Sequence, residues 1–334
     1  MNHTDPLVAI IPKEAADRVI AGLKAEGCYD ADRRIRQVSA AELAIPVSET
    51  PTETRDGRIE HDTDPAWRIR DLEDRLRLRG FSAEELQAVP QSWAVIGDVV
   101  TGRFTDCPRE REVGEALLDI HGRAETVLSI DGITGEHRVP ETRVIAGSGQ
   151  TETVHVEDGT QYALDLNRVM FSPGNQAERI RMGSAVSEGE RVFDMFAGIG
   201  YFTLPMARAG ATVIATERNP TAYRYLQENI VRNEVNEDVS AYRLDCRALR
   251  PRVDRVVMGY YDASEYLHAA MPALRPGGVI HLHDVAPADD PFSEGESALH
   301  ATAGGRPVDI LDRRIVKTHS PGMVHVVIEC TIGE

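Results

Sequence analysis

The spacing of apolar and polar positions divides this chain into three stretches. The first opens on the apolar run Leu7-Val8-Ala9-Ile10-Ile11, followed by Pro12 as a helix-start signal and a helical apolar period over 15–23 that ends near Gly27. That is a strand and a helix of a small α/β unit. Residues 49–66 are polar, rich in turn formers and without apolar period, so they read as a linker closing a first domain, 1–66. A second domain, 67–174, begins with a helical pattern over 67–86. It continues with β-type segments at 93–104, 126–130, 137–139, 143–145, 151–156 and 162–166, interrupted by a helix at 109–120. From 175 to 334 the pattern changes. After a helix beginning at Asn175, strands at 192–196, 212–217, 239–244, 255–260 and 279–283 alternate with helices from 201, at 221–233 and at 264–274. Two strands, 308–316 and 324–330, close the chain. Repeated strand–helix units predict a parallel sheet covered by helices on both faces, a Rossmann-like α/β domain with smaller α/β domains before it.

Composition changes this picture in one respect. The chain of 334 residues carries 37 Lys and Arg against 54 Asp and Glu, a formal charge of −17, and its lysines are three only, Lys13, Lys24 and Lys317. Carboxylates in place of flexible ammonium groups suit concentrated salt, where charge repulsion is screened within about 3 Å at roughly 1 M, and so point to a halophile. A GC-rich genome that favours Arg codons explains the same bias. At 42% hydrophobic the chain can bury a core, which excludes general disorder. Cys28, Cys107, Cys246 and Cys330 form no metal-ligand spacing, so no metal is expected. The N-terminus lacks a signal-peptide pattern and no long apolar stretch occurs, so no membrane association and a cytoplasmic location are expected.

The chemistry concentrates at Val192-Phe193-Asp194-Met195-Phe196-Ala197-Gly198-Ile199-Gly200-Tyr201-Phe202-Thr203, a strand, a Gly-rich turn and a helix start. Gly198 and Gly200 let the backbone approach a ligand at the carboxyl end of the first strand. The third glycine of the dinucleotide fingerprint is replaced by Thr203, which argues against a pyrophosphate and for a nucleoside. Glu217 ends the second strand, where a carboxylate can accept from both ribose hydroxyls, and Asp245 with Cys246 ends the third, at the adenine edge. Each acid alone could instead cap a helix.

This pattern resembles the class I S-adenosylmethionine-dependent transferases. Upstream, Ile96-Gly97-Asp98-Val99, Gly135-Glu136-His137-Arg138-Val139-Pro140-Glu141, Val144-Ile145-Ala146-Gly147, Thr151-Glu152-Thr153 and Phe171-Ser172-Pro173-Gly174-Asn175-Gln176-Ala177-Glu178-Arg179 resemble the enzymes that modify the purine at position 37 of tRNA. Ile11-Pro12-Lys13-Glu14 and Ala44-Ile45-Pro46-Val47 are similar to that family's small N-terminal domain. The family includes a guanine-37 N1-methyltransferase and a wybutosine-pathway 3-amino-3-carboxypropyl transferase. The methyl branch carries Asn-(Leu/Pro)-Pro after the fourth strand and Ser-Pro-Arg-Leu upstream. Here stand Met258-Gly259-Tyr260-Tyr261 and Ser172-Pro173-Gly174-Asn175, similar to the aminocarboxypropyl branch.

The resemblance implies transfer of the aminocarboxypropyl group of S-adenosylmethionine, with methylthioadenosine released, to carbon 7 of 4-demethylwyosine in the anticodon loop of tRNA(Phe). The alternatives are the guanine-37 methyltransferase and a non-catalytic tRNA-binding module. It places the cofactor against Ser172, Arg179, Asp194, Phe196, Ala197, Gly198, Gly200, Glu217, Asn219, Asp245, Cys246 and Gly259. Ser172 and Arg179 would hold the methionyl part, the Arg fork suiting its carboxylate. Glu178 would orient or deprotonate the target base, or else pair with Arg181 along its helix. Asn175 would bond the cofactor or cap its helix. Arg138, Arg247, Arg250 and Arg252 are expected on the RNA side, the last three in a cluster with Arg243 and Arg255 and supported by Arg313, Arg314 and Lys317. A second group, Arg68, Arg70, Arg75, Arg77 and Arg79, meets phosphates or forms local pairs with Asp71, Glu73 and Asp74. His281 and His283 alternate on the fifth strand, away from these motifs, and are expected to be structural.

Overall fold

A computed structural model describes residues 6–39, 41–52, 57–63 and 71–334, which form two compact units, Met1–Leu86 and Gln87–Glu334. In the first, β1 (Leu7–Pro12) leads into α1 (Ala16–Glu26), which ends at Gly27 with φ 77°. β2 (Arg36–Gln37), β3 (Glu42–Val47) and β4 (Arg58–His61) complete an antiparallel sheet of order β2-β3-β1-β4. Ala9, Ile11, Leu23, Ile45 and Val47 form its core. β4 falls inside the stretch read as a linker. It is an edge strand with little burial, so it carries no apolar alternation to betray it.

Two short helices, α2 (Leu72–Leu78) and α3 (Ala83–Gln87), follow. Asp71 caps α2 and Arg77 pairs with Glu73 one turn away, as a solvated helix face would. Arg68 and Arg70 lie outside the described residues.

The second unit begins with β5 (Trp93–Ile96), β6 (Val99–Gly102), α4 (Glu110–Ile120), β7 (Thr126–Thr134) and β8 (Val139–Gly147), in a sheet of order β5-β6-β7-β8. β8 is one strand where two were expected. Register shifts against β7 break its alternation. The hairpin of β9 (Glu152–Glu157) and β10 (Thr160–Asp165) and the helix α5 (Gln176–Ser184) lead to the large sheet.

That sheet contains β11 (Arg191–Asp194), β12 (Thr212–Thr216), β13 (Val239–Tyr242), β14 (Val253–Met258), β15 (Leu274–Pro287), β16 (Val308–Ser320) and β17 (Met323–Ile332). Its order is β13-β12-β11-β14-β15-β17-β16, parallel from β13 to β15 and antiparallel at β17. The intervening helices are α6 (Thr203–Arg208), α7 (Pro220–Arg232), α8 (Leu267–Ala270) and α9 (Ser293–Thr302). α8 is shorter than the helix expected over 264–274. Pro272, within a 3₁₀ turn, follows it directly.

Two units, not three domains, is the difference from the sequence reading. Of the stretch 67–86, the described residues 71–86 belong with the first unit. Ile96, Val99, Leu128, Tyr162 and Leu164 share one core with Val192, Leu204, Val213 and Leu226 of the large sheet and its helices, so 87–174 and 175–334 are not independent.

Candidate active site

The strand order reverses between β11 and β14, and a cleft opens at the carboxyl ends of these strands. It has about 1310 Å³ of free space, part of it open to solvent. Of the residues singled out from the sequence, Ser172, Asn175, Arg179, Phe196, Gly198, Glu217, Asn219, Asp245, Cys246, Gly259 and Arg138 line it.

The turn after β11 is built by carboxylates. Thr203 Oγ1 donates to Asp194 Oδ2 at 2.7 Å and the Phe196 N–H to Oδ1 at 3.3 Å, which ties the strand end to the start of α6. Asp194 is fully buried, and burial raises its carboxyl to about 6 against those bonds. It does not line the cleft, and its bonds shape the turn. Gly198 at φ 58° donates its N–H to Glu217 Oε2 at 2.8 Å, and the Asn219 N–H donates to Oε1 at 2.7 Å. Burial pushes the Glu217 carboxyl up, opposed by backbone N–H groups of Asn219, Gly198 and Arg218. Gly200 at φ 105° packs on α6, where a Cβ would stand 2.7 Å from Leu204 Cγ. Ala197 donates its N–H to Thr216 O at 3.0 Å. Neither Gly200 nor Ala197 lines the cleft. The Asn219 side chain caps α7, accepting from Thr221 N at 2.9 Å.

At one end of the cleft Phe196 stacks on Tyr260, with centroids 5.2 Å apart, and meets Tyr266 edge-on at 5.0 Å. Asp245 stands beside this slot. The Arg247 guanidinium beside it, despite partial burial, holds its carboxyl down at about 2. Burial pushes the Cys246 thiol up to about 12, so it remains a neutral lining group. Gly259 lies against Phe202, whose Cε2 would be 2.6 Å from an added Cβ.

At the other end the expected role of Arg179 is corrected. Its Nε and Nη2 donate to both oxygens of Glu157 at 2.6 and 2.8 Å, and Nη1 donates to Ser172 O at 3.0 Å. The fork is spent within the protein. The cation facing Ser172 Oγ is Lys317, whose Nζ donates to it at 2.5 Å. Burial, then Arg179 and Arg138, lower the Lys317 ammonium. Asn175 makes no capping bond, and its Oδ1 is buried without a partner among the described residues.

Glu178 is corrected as well. It is 4% exposed, bonds Arg181 at 2.7 Å and stands outside the cleft lining, so it neutralises its own helix neighbour. The arginine cluster separates: Arg243, Arg247, Arg250 and Arg252 are exposed, whereas Arg255 is buried against Glu190. Arg247, Arg250 and Arg252 do not line the cleft, and Arg250 bonds back to the carbonyls of Arg247 and Leu249. Arg313 and Arg314 pair with Glu296 and Asp312. Arg138, at φ 52°, lies with its guanidinium 4.9 Å from the ring centre of Tyr261 in the cleft.

Sequence reasoning missed Tyr266 and His325, named Tyr261 only within a motif, grouped Lys317 with the RNA-side arginines and expected His283 to be structural. His281 is structural as expected, fully buried and bonded to Arg255 and Arg181. His283, two residues nearer the carboxyl end of β15, reaches the cleft, and that strand end was the available signal. Among the described residues no group of His, Cys, Asp or Glu could hold a metal ion, and no helix is long and apolar enough to cross a membrane.

The sheet order, the Gly-rich turn and the acids at the ends of β12 and β13 define a class I S-adenosylmethionine-dependent transferase fold. Residues 153–311 match the TRM5/TYW2 methyltransferase domain and residues 72–151 the TYW2 N-terminal domain. The chain belongs to the TRM5/TYW2 family.

It is 35% identical to the tRNA(Phe) (4-demethylwyosine(37)-C(7)) aminocarboxypropyltransferase of Pyrococcus horikoshii, over 77% of this chain and 96% of that protein. It is 39% identical to the enzyme of the same name in Methanocaldococcus jannaschii, over 70% and 95%. The crystal structure of Pyrococcus horikoshii TYW2 in complex with MeSAdo matches with TM-score 0.68 and 33% identity, covering 78% of this chain and 98% of that one. Trm5b from Pyrococcus abyssi matches with TM-score 0.76 and 29% identity, covering 98% and 99%.

Proposed function

We propose that this protein transfers the 3-amino-3-carboxypropyl group of S-adenosylmethionine to carbon 7 of 4-demethylwyosine at position 37 of tRNA(Phe). The observation that carries this reading is the identity of 35% and 39% with two aminocarboxypropyltransferases across nearly their whole lengths. The cleft fits the donor. Its aromatic slot of Phe196, Tyr260 and Tyr266 would take the adenine, with Asp245 at the base edge. The Glu217 carboxylate, already fixed by two N–H groups, would accept from the ribose hydroxyls. The buried, unpartnered Asn175 Oδ1 suits the ammonium of the methionyl part, and Lys317 with Ser172 suits its carboxylate.

Bound there, S-adenosylmethionine supplies an electrophilic carbon beside its sulfonium and leaves as methylthioadenosine. The protein's part is orientation: whichever sulfonium carbon lies in line with the nucleophile is transferred. Gly259 supports the aminocarboxypropyl pose, because it lets the Phe202 ring occupy the space that any side chain at 259 would fill. The anticodon loop would enter beside Arg138 and Tyr261, with the exposed Arg247, Arg250 and Arg252 toward the RNA backbone. We place the reaction in the cytoplasm of a cell with a salt-rich interior.

The full-length match to Trm5b favours guanine-37 methylation as the second reading. Incubating premodified tRNA with S-adenosylmethionine labelled in the methyl or in the carboxyl carbon separates them. Carboxyl label in the tRNA, with methylthioadenosine released, is expected. Methyl label alone would overturn the proposal, and no transfer of either would favour a non-catalytic tRNA-binding module.

A further inference from the structure

His283 on β15 and His325 on β17 are 1% and 2% exposed, and both line the cleft. The two strands are antiparallel, and their register sets Val285 opposite His325, so the two imidazoles are diagonal neighbours on one sheet face. His283 Nδ1 and His325 Nε2 share a hydrogen bond of 3.1 Å. Their outer nitrogens, His283 Nε2 and His325 Nδ1, have no partner among the described residues. Buried polar atoms are almost always satisfied, so two orphans on one coupled pair mark a place for a ligand.

A neutral imidazole has one N–H and one bare nitrogen. When two are joined by a hydrogen bond, one inner nitrogen donates and the other accepts. The outer pair therefore always presents one donor and one acceptor, and the two exchange when a proton enters at the bare outer nitrogen, the inner proton crosses and the other outer proton leaves. Burial, then Arg181 and Arg314, lower the His283 imidazole to about 3. Burial, then His283, Lys317 and His319, with Glu178 opposing, lower His325 to about 3, so both are uncharged near neutrality. The Phe202 ring at 5.0 Å from His283, and Tyr261 at 5.2 Å from His325, wall this end of the cleft.

We infer that the His283–His325 pair is a proton relay facing the target base, taking the proton from the substituted ring carbon at one outer nitrogen and releasing one from the other. This rests on the reading above, in which a ring carbon bearing hydrogen is alkylated. Such a carbon, once substituted, holds four single bonds in a cationic ring. Its C–H bond then breaks, the electron pair restores the ring's conjugation, and the proton forms an N–H bond at the bare outer nitrogen. The inner proton crosses the hydrogen bond and the opposite outer N–H goes to water, so the pair ends neutral with its tautomers exchanged. A weakly basic imidazole suffices, because the cationic carbon acid is strong.

His283→Asn and His325→Gln keep a nitrogen or oxygen at the inner positions and remove the outer ones, which separates relay from scaffold. Expected are cofactor affinity and melting temperature close to wild type, and a single-turnover rate of carboxyl-label transfer lowered about 100-fold. A primary isotope effect should also appear with tRNA deuterated at carbon 7. Wild-type rates, or slowed rates without that isotope effect, overturn the relay. Should a variant fail to fold, nitrogen-15 spectra of the wild-type histidines decide: tautomer shifts on adding the premodified anticodon stem-loop are expected, and unchanged spectra overturn the inference. Failure of the functional reading is seen separately, as methyl label transferred by the wild type.

Discussion

Arg179→Lys separates a structural arginine from a ligand-binding one. The wild-type side chain is 3% exposed and engages both oxygens of Glu157, itself buried, and the carbonyl of Ser172, while its guanidinium lies 4.7 Å from the ring centre of Phe171. A lysine keeps the charge but offers one compact donor in place of a planar fork, and it loses the stacking. Charge-assisted hydrogen bonds contribute about 1.5–3 kcal/mol each. With one of three retained and some relaxation, destabilisation of about 2–4 kcal/mol is expected. Arg179→Met, which strands the Glu157 carboxylate, should cost about 3–5 kcal/mol, and adding Glu157→Gln should restore part of it.

Urea unfolding followed by near-UV dichroism, with calorimetric titration of S-adenosylmethionine alongside, reads both quantities. The expected result is lost stability with cofactor affinity changed less than about threefold, under 0.7 kcal/mol. The pH dependence has a definite sign. Burial alone would raise the Glu157 carboxyl, but bonds from His155 and Arg179 outweigh it and hold it below its ordinary 4.5. The pair's contribution is thus full above that value and is lost as the pH falls through the lower folded value, where wild type and variant converge. Unchanged stability with a tenfold or greater loss of cofactor affinity would refute this account and return Arg179 to the methionyl carboxylate.

Glu217→Gln should weaken S-adenosylmethionine binding about 10- to 100-fold by calorimetry, because the amide loses charge and turns donors toward the N–H groups of Gly198 or Asn219. Burial raises the Glu217 carboxyl, so wild-type affinity should hold at neutral pH and fall on acidification through that raised value, whereas the Gln variant stays flat. Lys317→Met should weaken S-adenosylmethionine about tenfold and leave adenosine affinity unchanged, because the proposed reading puts it at the methionyl end; equal losses for both ligands would place Lys317 elsewhere. Gly259→Ala sets a methyl against the Phe202 ring and should cost about 1–3 kcal/mol, seen as a slower transfer rate with cofactor affinity largely kept, because Phe202 packs on His283.

The part of the cleft at the parallel strand ends was legible because its residues sit at fixed offsets from those ends. Gly198, Glu217 and Asp245 follow three consecutive strands, and a parallel sheet brings those ends together wherever the helices run. Tyr266, Lys317 and His325 could not be read this way. They come from a 3₁₀ turn and two antiparallel strands whose register no local pattern specifies, and only the assembled sheet brings them together. Arg179 and Glu178 were legible as positions in a motif but not in their roles, since their partners Glu157 and Arg181 decide those roles. Of these, Arg181 is three residues away, while Glu157 is 22 away on another element. β4 escaped because an exposed edge strand looks like a polar linker.

The charge of −17 takes on meaning once its arginines are located. Arg255, Arg313, Arg314, Arg143 and Arg232 are each spent on a carboxylate of the same protein, so the arginine count overstates the cation available to RNA. Exposed arginines gather at 243–252, with Arg247 over the Tyr266 ring of the cleft, and Arg138 stands within it. A surface so organised gains little from releasing counterions along a phosphate backbone, and therefore has little to lose when salt is high. On the proposed reading, recognition of the base would rest on contacts that salt does not screen, the Tyr261 ring and the Arg138 guanidinium 4.9 Å from its centre within the cleft. On the proposed reading, specificity for the base would be concentrated where His283, His325 and Arg138 line the cleft, and the arginines already paired within the protein would add little to it.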